Sequence, residues 1–347
     1  MSDNKNDEEQ QQQMDENFIS ADVWYGVFAF LDPVELGLKL ALISDRLDVL
    51  VDVHFKSRKW SLGRLKILRA TDGNGAQIDN ERSAELLPIP QGPLPTKVIG
   101  VECIQIWYVD QSVIAFLQRV RHLFDSSGTT VDIQTDDDQS RSWEIICQKI
   151  WPLVNDNIRH FRWDSYNLDH LRQFSPAILR KCANLRSIDS CELFPKFPVE
   201  DNAGASSAQA VANWLLTPRG DGLPKMFHCD LYWAGMTELR GLFVNALEPV
   251  NYIICLHPPF PGIVPVELTN SLTRERFALL NRGYYCLLVR CPIVREEDDD
   301  KWDKWEMEAL ELDWYYQWNR ISIRFNDRDI GDGMLDENDG GPSEPNE

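Results

Sequence analysis

Histidines, cysteines and clustered carboxylates are the side chains with which this chain could do chemistry, and their spacing argues for quieter roles. His160 and His170 lie near Asp164 and Asp169. No Cys-x-x-Cys and no helical His-Glu-x-x-His accompanies them, so a zinc site would lack its ligand set, and both are expected to be structural or surface histidines. Asp136, Asp137 and Asp138 could draw a cation, but three successive carboxylates between a strand and a helix read as a solvated loop. Asp327, Asp329, Asp332 and Gly333 approach a calcium loop; the spacing is off by one and no glutamate closes it. Cys286 and Cys291 would need a basic neighbour to act as thiolates, and the apolar run around them predicts inert core thiols. No glycine-rich phosphate loop follows a strand, and there is no Gly-x-Ser-x-Gly elbow. No catalytic residue, cofactor or metal is expected.

That leaves binding. Trp107, Tyr108, Trp163, Tyr166, Tyr232 and Trp233 stand near strand ends. Large aromatics dominate interfaces and cores alike, so the sequence assigns none of them to a contact, and the target-binding residues stay open. A formal net charge of -20 means that a broad phosphate-binding surface would form against the protein's own field, so neither nucleic acid nor an anionic membrane is an expected partner. Met1 to Glu16 is rich in Gln and acids without the apolar stretch of a secretory signal, and Arg290, Pro258 and Pro259 interrupt the most apolar later segments. A soluble protein of the cytoplasm or nucleus is expected, with its eight cysteines reduced.

The elements that must position these side chains fall into blocks. Residues 1–16 and 327–347 are acidic tails without periodicity, expected to be disordered. Residues 17–60 carry a helical module, and 61–97 a connecting strand with apolar alternation at Leu62, Leu65 and Ile67 before a Pro/Gly loop. From 98 to 326 strands alternate with amphipathic helices. Strands are predicted over 98–109, 130–135, 158–163, 185–189, 225–232 and 251–257, and helices over 111–124, 142–154, 168–182, 206–216 and 236–247. Asp110 is a ready N-cap for the first of these helices. The units recur at roughly 25 to 30 residues, with a longer interval holding the Pro/Gly/Ser stretch from Phe194 to Ser207.

Units this short must stack on their neighbours to bury both strand and helix, which predicts an α/β solenoid of parallel strands; a doubly wound open sheet of the same elements is the alternative. The stretch LRSIDSCELF, Leu185 to Phe194, resembles a leucine-rich-repeat strand, so the array is LRR-like. Two further strands, 284–294 and 320–325, with a helix between them at Trp302, Trp305, Ala309 and Leu312, are expected to form a C-terminal β cap.

The helical module is the most specific segment. Ser20 is placed to cap a helix whose face carries Val23, Val27, Phe28 and Leu31. Asp32, Pro33 and Glu35 then have the order of a cap, a first helical residue and a capping-box partner for a second helix through Leu36, Leu40 and Ile43. Ser44 can open a third through Leu47, Leu50 and Val51. Three short helices cannot close a stable core alone and need a partner or the rest of the chain.

The segment Phe18 to Phe55 resembles the F-box. Ile19 and Ser20 stand at its opening Leu-Pro, Asp22 and Val23 at the following pair, and Leu31, Asp32, Pro33, Glu35 and Leu36 at its Leu-Asp-Pro hinge. Ile43 to Leu47 stand at the closing stretch, provided one extra residue is admitted between Leu36 and Leu40. The opening proline and the closing aromatic of the family are missing. The resemblance implies a non-catalytic substrate adaptor of an SCF-type ubiquitin ligase. It would bind the Skp-type adaptor, and through it the cullin scaffold, by an apolar face of Ile19, Val23, Val27, Phe28, Leu31, Pro33, Leu36, Ile43 and Leu47, and present a protein target held by the C-terminal region. The alternative is an LRR-like interaction scaffold without a ligase.

Overall fold

In the computed structural model, residues 19–31, 35–56, 60–81, 86–92, 98–125, 128–163, 165–190, 192–257, 265–293, 299–311 and 318–334 are described. The first helix, α1 (Ala21–Phe28), begins after Ser20 as expected, although the Ser20 hydroxyl makes no capping bond. Leu36–Leu40 winds as a π turn, with the Ala41 amide donating to the Leu36 carbonyl at 2.9 Å. Helix α2 (Asp45–Lys56) follows Ser44, whose hydroxyl accepts from the Leu47 amide at 3.3 Å and so satisfies one otherwise unpaired donor of the first turn.

Strands β1 (Trp60–Ser61) and β2 (Arg64–Arg69) replace the single strand expected there, because Gly63 at φ +71° breaks the extended backbone. Then come β3 (Ala76–Asn80), β4 (Leu86–Pro88), β5 (Val98–Gly100) and β6 (Cys103–Ile106). Helix α3 (Gln111–Asp125) opens with the Val113 amide donating to the Asp110 carboxylate at 3.0 Å. After β7 (Thr129–Ile133), α4 (Ser140–Ile145) passes through a π turn at Ile146–Ile150 into α5 (Trp151–Val154). The chain continues as β8 (Ile158–Arg162), α6 (Ser165–Phe174), α7 (Ile178–Lys181), β9 (Ser187–Asp189), α8 (Ser207–Leu216), β10 (Lys225–Asp230), α9 (Trp233–Val244) and β11 (Tyr252–His257). It ends in β12 (Val266–Asn270), β13 (Glu275–Arg282), β14 (Tyr285–Pro292), α10 (Asp299–Glu311) and β15 (Arg320–Ile323).

The protein is mixed α/β around a 13-stranded sheet ordered β12-β13-β14-β11-β10-β9-β8-β7-β15-β6-β2-β3-β4, while β1 pairs with β5 alone. Strands β7 to β11 are sequential parallel neighbours. Antiparallel strands flank the parallel block at both ends: β14, β13 and β12 beyond β11, and β3 and β4 beyond β2.

The C-terminal strands divide in a way the sequence reading did not anticipate. β14 closes one end of the parallel block, but β15 runs parallel between β6 and β7, in the interior of the sheet. Asn319, in left-handed backbone at φ 52°, steers it there: its amide donates to the Val101 carbonyl at 2.8 Å and its side-chain oxygen accepts from the Val101 amide at 3.1 Å. Ordered backbone also continues past Asn326, where a disordered tail was expected. Val109 bridges to Ile330, and Met334 is buried.

Side chains alternate between the sheet's faces. One face packs Ile106, Val131, Phe161, Ile188, Phe227 and Ile254 against the apolar stripes of α3 to α9. The other packs Met226, Ile253, Cys255, Leu287 and Val289 against Trp302 and Ala309 of α10. That second face also carries a polar row, which reaches α10 at His228, whose ring bonds the Ala309 carbonyl at 2.8 Å. Register aligns Lys66, Gln105, Ser322, Asp132, Arg162, Asp189 and His228 in one row across seven strands. Ser322 donates to Asp132 at 3.0 Å, and Arg162 lies 3.7 Å from Asp189.

Candidate functional site

A helix repeats its face every three to four residues, so Ile19, Val23 and Val27 form one stripe along α1 and its entry. They are 45%, 56% and 41% exposed, and Ile43, in the turn before α2, is 65% exposed. Phe28 and Leu36 are fully buried, and Leu31 and Leu47 are half-buried against the same core. Of the nine residues expected on the docking face, four thus remain open to a partner and two lie wholly inside the protein. Pro33 lies outside the described residues.

The buried members show what holds the module together. The Phe28 ring meets His54 edge-on at 5.5 Å, Tyr25 stacks on the same imidazole at 6.3 Å, and Trp24 lies 5.9 Å from Phe28. Arg46 of α2 donates to the Ile19 carbonyl, tying α2 to the start of α1. Ala41, Leu50 and Val51 complete a core continuous with that of the sheet.

Phe30, Leu42, Val49 and Val53 are also exposed, Phe30 by 91%. Sequence reasoning passed over them, although Phe30 stands three residues after Val27 and Val49 four before Val53, the spacings that place side chains on one helical face. Among its described residues the module thus carries eight exposed large apolar side chains: Ile19, Val23, Val27, Phe30, Leu42, Ile43, Val49 and Val53.

The residues weighed for chemistry do not converge. His160 sits on β8, almost wholly buried, and burial together with the Arg159, Arg186 and His228 charges pushes its pKa down to about 3, so it stays neutral. His170 stacks on Trp143 at 4.6 Å and reaches Asp137 at 2.8 Å, while Asp169 accepts from the Ser207 hydroxyl. Asp164 lies outside the described residues. Asp327 accepts from the Ser142 amide and hydroxyl, both at 2.8 Å, and so ties the C-terminal segment to the start of α4, while Asp329 accepts from the Asn326 amide at 3.1 Å and closes a local turn. Cys286 and Cys291 are buried, and burial raises the Cys286 pKa. Among the described residues no group of His, Cys, Asp or Glu is arranged to hold a metal, and no helix is long and apolar enough to cross a membrane.

No family model, curated protein or solved structure matches the chain.

The six aromatics near strand ends separate by environment. Tyr108 and Trp163 are core residues and Tyr166 is half-buried. Trp107 lies between the Lys66 ammonium at 4.9 Å and the Arg324 guanidinium at 5.2 Å. Tyr232 and Trp233, by contrast, are 57% and 55% exposed. They stand where β10 turns into α9, at the carboxyl end of the parallel strands, where open α/β sheets commonly bind ligands.

Proposed function

We propose that this protein is a substrate-recognition adaptor of an SCF-type ubiquitin ligase: an F-box-like module, residues 17–60, docks on the Skp-type adaptor, and an LRR-like α/β region holds a protein target. One observation carries the reading. Phe28 and Leu36 are taken into the core, whereas Ile19, Val23, Val27 and Ile43 stay in solvent, so the apolar stripe is left open by the described residues.

Two further features support it. The F-box pattern fits only if one residue is added between Leu36 and Leu40, and the backbone there is a π turn. An i to i+5 turn takes up one residue more than an α turn, so the residues from Ile43 onward keep their face despite the addition. The sequential parallel order of β7 to β11, with α3 to α9 packed in one core on the same side, supports a stacked, solenoid-like arrangement of these units, although α10 packs on the opposite face. In this role the chain makes no bond. It raises the effective concentration of a target lysine near the charged conjugating enzyme.

The test is reconstitution: the full chain and a purified Skp-type adaptor are mixed and resolved by size-exclusion chromatography. Co-elution that also recruits the cullin scaffold is the expected result. A folded chain that elutes apart from the adaptor leaves the alternative, an LRR-like scaffold without a ligase.

A further inference from the structure

A cavity of about 580 Å³ opens at the carboxyl ends of β9 and β10, and its walls come from the Pro/Gly/Ser stretch that interrupts the repeat rhythm. The stretch is pinned at its far end. The buried Arg172 guanidinium donates to the Asp201 carboxylate at 2.7 Å and to the carbonyls of Asn202 and Ala205 at 2.9 and 3.1 Å, while a Ser206–Gln209 capping box starts α8. At its near end the Lys196 amide donates to the Ala208 carbonyl at 3.1 Å. The opposite wall is the start of α9, held in place where the Leu231 amide extends the β10–β11 pairing to the His257 carbonyl at 3.0 Å.

The Phe194 ring closes directly on Gly235, leaving no room for a Cβ there, and meets the Tyr232 ring edge-on at 6.0 Å. The cavity is therefore preorganised. Leu193, Phe194, Phe197 and Ala208 give it an apolar part of its lining. Three carboxylates, Glu192, Asp230 and Glu238, stand at it against one cation, Lys196, and all four residues are exposed. Asp230 and Glu238 make no ion pair among the described residues.

An apolar slot with an exposed tyrosine and a carboxylate mouth suits a side chain with an aliphatic stem and a cationic tip. The stem fills the slot, the tip meets the aromatic face and the carboxylates, and the protein's charge of -20 draws such a partner in. We propose that this cavity is a docking site for a basic peptide segment, anchored by one arginine or lysine seated against Phe194, Tyr232 and Glu238. Calling that partner the ligase target rests on the adaptor role proposed above; the binding itself does not.

The probe is a set of fluorescein-labelled octapeptide pools with one position held as Arg, Lys, Leu or Glu, titrated with the full chain by fluorescence anisotropy. Arg and Lys pools are expected to bind about tenfold or more tighter than Glu pools at low salt, and to weaken at 0.5 M salt. Asp230→Asn with Glu238→Gln, both exposed positions that spare the fold, is expected to abolish that preference. Tyr232→Ala should weaken the Arg pools about 30-fold. Equal binding of Glu pools, or no binding of any pool, overturns the proposal. So does a preference that survives these variants but is lost in Asp300→Asn with Asp303→Asn, which would move the basic segment to the cleft beside α10. Co-elution with the Skp-type adaptor is unaffected by the cavity variants, so failure here is distinct from failure of the ligase reading.

Discussion

Replacing Val23, Val27 and Ile43 together by serine separates docking from folding. Each side chain is roughly half accessible in the free protein, and burying a whole valine or isoleucine is worth about 1.5 to 3 kcal/mol. A partner that covers the accessible half of each gains about 1 kcal/mol per residue, or about 3 kcal/mol for the three, which is about 100-fold in Kd. Because these side chains touch solvent in the monomer and valine and serine have similar helix propensities, the stability cost is only about 0.5 kcal/mol per site. Leu36→Ala is the converse perturbation. Leu36 is fully buried, so its truncation costs about 2 to 5 kcal/mol of folding free energy while leaving the exposed stripe in place. Calorimetric titration of the Skp-type adaptor, with Tm measured on the same samples, reads both quantities. If the triple variant binds within a factor of about three of the wild type while it remains folded at the assay temperature, the stripe is not the docking surface and the argument from its exposure fails.

The other predictions concern buried charges. Glu275 and Arg290 pair at 2.7 Å with almost no exposure, and the carboxylate also accepts from the Val250 amide at 2.7 Å. Glu275→Ala should therefore cost about 3 to 5 kcal/mol in denaturant unfolding, and adding Arg290→Met should restore part of the loss because no unpaired charge then remains. Lys225 is buried over the Trp214 ring at 5.1 Å and donates to the Thr217 carbonyl at 2.6 Å, and burial followed by the Arg219 charge pushes its pKa down to about 7. The unfolded chain keeps that proton up to about pH 10.5 and the folded chain releases it near 7, so this residue makes stability rise with pH through that window. Tm measured from pH 6.5 to 9 should climb for the wild type relative to Lys225→Met; parallel curves would mean that the Trp214 and Thr217 carbonyls, both of which accept from the ammonium, hold it charged.

Local signals were legible wherever a short-range physical requirement fixes them. Asp110 caps α3 and Ser44 caps α2 because a hydroxyl or carboxylate one position before a helix can satisfy the free amides of its first turn. The run of strands and helices from β7 to β11 follows from the switch between a period of two and a period of 3.6. The apolar stripe of the first module was visible by the same periodicity. Periodicity shows which residues share a face, not what covers that face, so Phe28 and Val27 could not be told apart until α2 and His54 were seen to cover one and not the other.

Long-range pairing left no local mark. Backbone hydrogen bonds carry no residue identity, so nothing in Arg320–Ile323 announces a place between two strands some two hundred residues earlier, and Asn319 becomes informative only once Val101 lies opposite it. Likewise the Phe194–Ser207 stretch read as an interruption of the repeat. Tertiary structure made it a wall, because Arg172 on one helix and Gly235 on another hold its two ends. The sequence by itself determined most elements of the parallel block and their faces, which depend on neighbours within one turn or one pleat, but not the hairpin strands β3, β4, β12 and β13. The strand order, the covering of each face and the cavity depend on groups that only folding brings together.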